Sequence, residues 1–246
     1  MGLKGRSRKE YYHLVSMNNT LLTHTVADKV YQNQGNKPVL DNIPESATSI
    51  LDVGCGYGDN ARILMRNDRI IDGITLSEQE AESASKFLSS VFIHNLENGL
   101  PPEVTRQYDV VICSHVLEHI AYPTQLLSDI RKHLSPTGIL IVALPNIMAY
   151  SSRLKLIRGD FDYEDSGIWD NTHLRWYTFK TGKLLLESNG FSVIKATVSG
   201  DIPLLSVLGK INYNVRQSIY KILSRISPGL FGGQLLYVAK KTGRDV

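Results

Sequence analysis

Three glycines at alternate positions, Gly54, Gly56 and Gly58, constrain this chain more than any other feature. They follow the short apolar run Ser49–Val53 and precede a helix-like stretch, Asp59–Arg66. The run reads as a buried parallel strand. Glycine lacks a Cβ, so the backbone after Val53 can turn tightly and approach a ligand closely. A strand, a glycine loop and a helix start in that order form a nucleotide-binding corner. The dinucleotide fingerprint is G-x-G-x-x-G. This chain instead carries G-x-G-x-G, with Asp52 two residues ahead of the first glycine. An ordinary glycine-rich turn is the alternative, and the sequence downstream weighs against it.

Beyond the loop the pattern alternates: strand 69–75, helix 78–88, strands 90–93 and 108–113, helix 123–134, strand 138–144. Helix 179–188 and strands 191–198 and 234–240 follow. This alternation predicts an α/β fold, a doubly wound, mostly parallel sheet with helices on both faces. Ser135-Pro136-Thr137-Gly138 supplies a turn. Residues 145–177 break the rhythm and are rich in Arg, Asp, Trp, Tyr and His, as in a functional loop. Leu14, Met17, Leu21, Leu22 and Val26 recur at helical spacing within 1–35. Residues 202–231 are apolar and basic with no acid. They read as a helical cap over the substrate side, because strand 234–240 must return to the sheet. A basic amphipathic helix on a membrane surface is the alternative.

The net charge is +3 over 246 residues, and Lys4, Arg6, Arg8 and Lys9 supply +4 before the first acid, Glu10. A frayed basic N-terminus accounts for that without a nucleic-acid-binding arm. Cys55 and Cys113 are the two cysteines, both in or beside predicted core strands. They read as reduced thiols in a cytoplasmic protein. No stretch reads as a signal peptide or a membrane span. Met1-Gly2 lacks the Ser or Thr that myristoylation needs, since position 6 is Arg6.

Two further motifs accompany the glycine loop. Strand 108–113 runs into Ser114-His115-Val116-Leu117-Glu118-His119, and strand 138–144 runs into Pro145-Asn146. Gly167-Ile168-Trp169-Asp170-Asn171-Thr172-His173-Leu174-Arg175-Trp176-Tyr177-Thr178 lies beyond them. With Asp52 and the three glycines, these resemble the S-adenosyl-L-methionine (SAM)-dependent methyltransferases of class I with a Rossmann-like fold. The last motif is similar to a bacterial subgroup that modifies glycans and small molecules. The resemblance spans about 49–198 and implies a seven-stranded sheet with an antiparallel last strand. It divides a single domain, 1–246, into an N-terminal helical segment (1–48), a cofactor-binding core (49–144), a substrate loop (145–177) and a cap (202–231). The letters His115 to His119 also match H-x-x-E-H, an inverted zinc-protease motif. That motif needs a long helix, and the strand ending before His115 and Pro123 after His119 leave no room for one, so these letters assign no metal, and assistance by a divalent metal is left open.

The resemblance implies SAM as cofactor, cradled by Gly54, Gly56 and Gly58, with Asp52 orienting its amino end and Ser114 lining its methionine part. The second strand ends in Thr75 where the family often has an acid, so the ribose falls to Thr75 with Gln79 or Glu80. Asn95 and Leu96 take the adenine positions. Methyl transfer to a hydroxyl needs a base, and histidine titrates near neutrality. His173, flanked by Asp170 and Arg175, and His119 compete for that role. Asn146, Asp170 and Arg175 are the candidate substrate contacts. Arg153, Lys155 and Arg158 lie at helical spacing, either as a solvated face or as a clamp for a phosphorylated or nucleotide-linked acceptor. The expected reaction is O-methylation of a small molecule such as a sugar or glycan precursor, with nitrogen or carbon acceptors still open. A non-catalytic SAM-binding partner subunit and an NAD-dependent oxidoreductase are the competing classes. Nucleic acid and membrane are not expected partners, and a homodimer is compatible with the class.

Overall fold

The computed structural model describes residues 34–200 and 212–243. Most of the expected helix within 1–35, and the first part of the expected cap, lie outside the described residues. The strands are β1 (Ser49–Val53), β2 (Ile70–Thr75), β3 (Ser90–Ile93), β4 (Tyr108–Ser114), β5 (Leu134–Pro145), β6 (Phe191–Ser199) and β7 (Gln234–Lys241). They form one seven-stranded sheet in the order β3-β2-β1-β4-β5-β7-β6. β1 to β5 pair in parallel, and β7 runs antiparallel between β5 and β6. The expected Rossmann-like α/β architecture is therefore the one observed. The strand order reverses beside β1, and in open α/β sheets the crevice past the strand ends at such a point takes the ligand.

The sheet is buried on both faces because its strands are apolar at successive positions. Leu51, Val53, Val111, Cys113, Leu140 and Val142 pack in one layer. Ile50, Val110, Ile112, Ile139 and Ile141 pack in the other. Both cysteines are free and buried.

The helices are α1 (Lys37–Leu40), α2 (Asp59–Leu64), α3 (Glu78–Ala84), α4 (Thr124–His133), α5 (Tyr150–Ile157), α6 (Phe179–Ser188), α7 (Tyr213–Ile226) and α8 (Pro228–Phe231). Local chemistry sets several of them. Ser77 caps α3 by accepting from the Glu80 N–H. Thr178 and Thr181 form a reciprocal capping box on α6. α4 buries Leu126, Leu127 and Ile130 on one stripe and ends on Arg131, Lys132 and His133, charges that suit a helix C-terminus.

Two departures from the sequence reading matter. The segment 145–177 is not wholly irregular, since it contains α5, with Arg153 and Lys155 on it and Arg158 as its C-cap. Its weak apolar periodicity hid it, because α5 buries Ser152 rather than an apolar stripe. β5 also begins four residues before the expected 138, at Leu134, through a register shift against Tyr108 and Val110. Gly138 permits that shift, because a Cβ there would lie 2.7 Å from the Tyr108 carbonyl oxygen.

Candidate active site

At the ends of β1, β2 and β4 opens a cavity of about 1020 Å³, at the upper end of what small-molecule sites offer. Its floor is the glycine loop. Gly54, Gly56 and Gly58 have φ of 75°, 51° and 81°, a left-handed region that favours glycine. Gly54 faces a second constraint, because a Cβ there would lie 2.5 Å from Cγ2 of Val116. Gly54 and Gly56 line the cavity, while Gly58 caps α2 from behind. Asp52 lies beneath, 1% exposed. Its Oδ2 accepts from Nδ2 of Asn60 at 3.3 Å, and its Oδ1 has no hydrogen-bond partner. Burial pushes the Asp52 carboxyl up to about 7, against the pull of Asn60.

The wall beside the loop comes from β2 and α3. Thr75 Oγ1 donates to Glu80 Oε2 at 2.5 Å, and both residues are buried and face the cavity. Gln79 is exposed, so Glu80 is the acid that reaches the position left open by Thr75. Asn95 and Leu96 line the next stretch, where Asn95 Oδ1 accepts from the Glu97 N–H and caps a short 3-10 turn, Leu96–Asn98. Ser114, at the end of β4, accepts from Asn36 Nδ2 at 2.9 Å. Asn36 Nδ2 also donates to Oε1 of Gln234 at 2.9 Å, tying the segment before α1 to β7.

The far end of the cavity is built from His115, Glu118, His119, Asp170, Thr172 and His173. His115 is the one non-glycine residue with positive φ, 58°, among the described residues, and local strain of this kind gathers at functional sites. The residues 117–119 form a 3-10 turn rather than a helix, so His115 and His119 do not stand as a helical zinc-protease pair. His115 Nδ1 meets Glu118 Oε1 at 3.1 Å, and Nε2 meets Gln234 Oε1 at 2.7 Å. Burial opposes its charge, but the side chain is 43% exposed, and the Glu118 carboxylate with Gln234 raises it above the ordinary value. Glu118 is fully buried; burial pushes its carboxyl up, and the bond to His115 and the charges of His115 and His119 outweigh that and lower it.

His119 and His173 come together from separate segments, with rings 4.7 Å apart between centroids. His173 Nδ1 meets the Ile168 carbonyl oxygen at 3.0 Å, which only accepts, so Nδ1 carries the proton and Nε2 the lone pair. Thr172 Oγ1 donates to Asp170 Oδ1 at 2.6 Å. Its proton is thereby committed, so His119 Nδ1 donates to Thr172 Oγ1 at 3.0 Å and to the Thr172 carbonyl at 3.2 Å. Burial first, with His173 beside it, lowers His119 below the ordinary histidine value against the pull of Glu118. Glu118, His119 and His173 each bring one possible metal-ligand atom within 4.8 Å of the others.

Of the three expected substrate contacts, Asp170 lines the cavity and the other two fall elsewhere. Asn146 is fully buried and holds the carbonyls of Gly229 and Gly232 through Nδ2 and the Met148 N–H through Oδ1. It fastens α8 rather than facing the cavity. Arg175 donates to the Ala121 carbonyl at 2.6 Å and lies over Tyr122, outside the cavity wall. The Asp170 carboxylate acts on Thr172 and so on His119, while its main-chain carbonyl accepts from the His173 N–H at 3.0 Å. The phosphate clamp has no geometry either. Lys155 is held by Glu164 and the Asp162 carbonyl, and Arg153, Lys155 and Arg158 do not line the cavity. Asn36, Asn60, Glu118, Thr172 and Gln234 were missed as site residues. Asn60, two residues past Gly58, was findable from the motif. Asn36 and Gln234 carried no local signal.

With this geometry in place, the relatives fall into line. Residues 25–196 match the methyltransferase-domain family, and the chain belongs to that family. Its fold is that of the class I, SAM-dependent members. A ubiquinone biosynthesis O-methyltransferase of Rickettsia akari is 31% identical over 119 residues, 47% of each chain. One from Rickettsia felis is 26% identical over 202 residues, 81% of this chain and 76% of that protein. The chain spans about half or less of the length of the first curated relatives it matches. A SAM-dependent methyltransferase from Archaeoglobus fulgidus superposes with a TM-score of 0.58 at 20% identity, over 94% of this chain and all of that one. No helix among the described residues is long and apolar enough to cross a membrane.

Proposed function

We propose that the chain transfers a methyl group from SAM to a hydroxyl oxygen of a small molecule. The observation that carries this reading is one cavity, lined at one end by Gly54, Gly56, Thr75 and Glu80 and at the other by His119 and His173. The cofactor end fits its ligand: a left-handed glycine turn that lines the cavity without side chains, an orphaned buried carboxylate oxygen on Asp52, and a buried acid at Glu80. When bound, SAM supplies an electrophilic methyl group on a cationic sulfur. The Gly54–Gly56 backbone and Ser114 hold its methionine part, and Asp52 with Asn60 favours its amino end. Glu80 with Thr75 takes the ribose hydroxyls, and Asn95 and Leu96 flank the adenine. Holding two reactants in line contributes roughly 7–11 kcal/mol in ideal cases.

At the other end, Nε2 of His119 takes the acceptor's proton. His119 is preferred to His173 because the Thr172–Asp170 relay behind it steadies the imidazolium that forms. Ser166, Asp170, Thr172, Ser199 and Gln234 line this end, which suits a hydroxyl-rich acceptor such as a sugar or glycan precursor. A quinone precursor is the second reading, favoured by the Rickettsia relatives, which are named for O-methylation in ubiquinone biosynthesis. Calorimetry with SAM, S-adenosylhomocysteine and NAD tests the class, and NAD binding without SAM binding overturns it. A methyl-acceptor screen over nucleotide sugars, sugar phosphates and phenols then separates the two acceptors.

A further inference from the structure

We propose that Glu118, His119 and His173 together bind a divalent transition-metal cation of the zinc or manganese class. One possible ligand atom from each lies within 4.8 Å of the other two. A cation about 2.1 Å from each ligand in tetrahedral geometry needs them about 3.4 Å apart. Each pair therefore closes by at most about 1.4 Å, within the reach of side-chain rotation.

Two independent features point to a ligand here. Glu118 is fully buried, yet its Oε2 has no hydrogen-bond partner, and a buried carboxylate oxygen left bare is costly. Each donor also carries a partner on its other polar atom, the arrangement that orients metal ligands. Glu118 Oε1 is held by His115, itself held by Gln234. His119 Nδ1 is held by Thr172. His173 Nδ1 is held by the Ile168 carbonyl. With both Nδ1 atoms so engaged, ligation falls to Nε2, and the two-imidazole, one-carboxylate set favours Zn2+, with Mn2+ held more weakly, over Mg2+ and Ca2+, which prefer all-oxygen sites. The Glu118 carbonyl accepts from the Leu174 and Arg175 N–H groups at 2.9 and 3.0 Å, pinning the loop that brings in His173.

The role of this cation rests on the methyl-transfer reading; its binding does not. Three protein ligands leave a position for the acceptor hydroxyl. On binding, the O–H bond breaks, the proton leaves to water, and the oxygen keeps its electron pair against the cation. With the cation present both histidines act as ligands, and without it His119 acts as the base.

Calorimetric titration of tag-free, chelator-stripped full chain with Zn2+, Mn2+ and Mg2+, each alone and without cofactor, tests the binding. The expected result is one equivalent of Zn2+ or Mn2+ bound, with Mg2+ at least tenfold weaker. His173→Gln and Glu118→Gln should each raise the dissociation constant at least tenfold, while His133→Gln, at the end of α4 and outside the cavity lining, should leave it unchanged. SAM binding by each variant, measured separately, reports folding. Absence of saturable binding by the parent chain, or binding indifferent to His173→Gln in a variant that still binds SAM, overturns the cation site and leaves the histidine base standing. Failure to bind SAM while the cation binds overturns the methyltransferase reading instead.

Discussion

The rings of His119 and His173 meet edge to face, 4.7 Å between centroids and 64° between planes. One follows β4 and the other lies in the loop before α6, so only the folded chain joins them. Glu118 completes the group from the adjacent position on the 3-10 turn.

That pairing predicts a pH profile. Burial and the neighbouring His173 hold His119 below the ordinary histidine value of 6.5, so it is neutral and able to accept a proton at pH 7. The acid limb of kcat/KM should therefore fall below pH 6.5. His119→Gln should lower kcat by about 10²–10⁴-fold while SAM affinity stays within about threefold. A limb well above pH 7 contradicts the assignment.

Asp52 gives a stability prediction with a definite sign. Its carboxyl is raised from 3.8 to about 7 by burial, so between those values the folded chain holds a proton that the unfolded chain has released. Stability from this group falls as pH rises through that window. In the ligand-free protein, Asp52→Asn should change Tm little near pH 4 and raise it by several degrees at pH 8. The same substitution should weaken SAM binding at pH 8 about tenfold, because the cationic ligand favours the carboxylate. SAM affinity of the parent chain should fall as pH drops from 8 to 6.

Gly54→Ala should destabilise the fold by about 2–4 kcal/mol in urea unfolding, through the left-handed φ and the contact with Val116. Combining it with Val116→Ala removes the contact and leaves the backbone strain, so the double variant should cost less than the sum of the two. Strict additivity means that the contact does not set the cost.

Glu80→Gln keeps an acceptor for the Thr75 hydroxyl and removes the charge. SAM affinity should drop about 10–100-fold, the range for a charged hydrogen bond, with Tm nearly unchanged. An unaltered SAM dissociation constant would place the ribose elsewhere.

How legible was this protein? The glycine spacing and the alternation of strands and helices gave the sheet, because both are local patterns with few competing folds. Thr75 in place of an acid posed the ribose question, and Glu80 was one of two residues named to answer it. Of the two, Glu80 is the one buried against the cavity, and that depends on how α3 lies against β2. The misses have the same origin. Asn146 and Arg175 sit in polar runs that resemble a substrate loop, but whether an amide or guanidinium faces a cavity or a carbonyl is decided by packing. α5 was hidden because it turns no apolar stripe inward.

The sequence by itself determined the class of fold and the cofactor corner, since a strand, a glycine loop and a helix start must be contiguous in the chain to form one. Only the tertiary structure decided what stands opposite that corner. Glu118, His119 and His173, and the Asp170–Thr172 relay behind them, come from separate loops. Their meeting depends on main-chain bonds such as those from Leu174 and Arg175 to the Glu118 carbonyl, and such long-range bonds leave no periodic mark on a sequence.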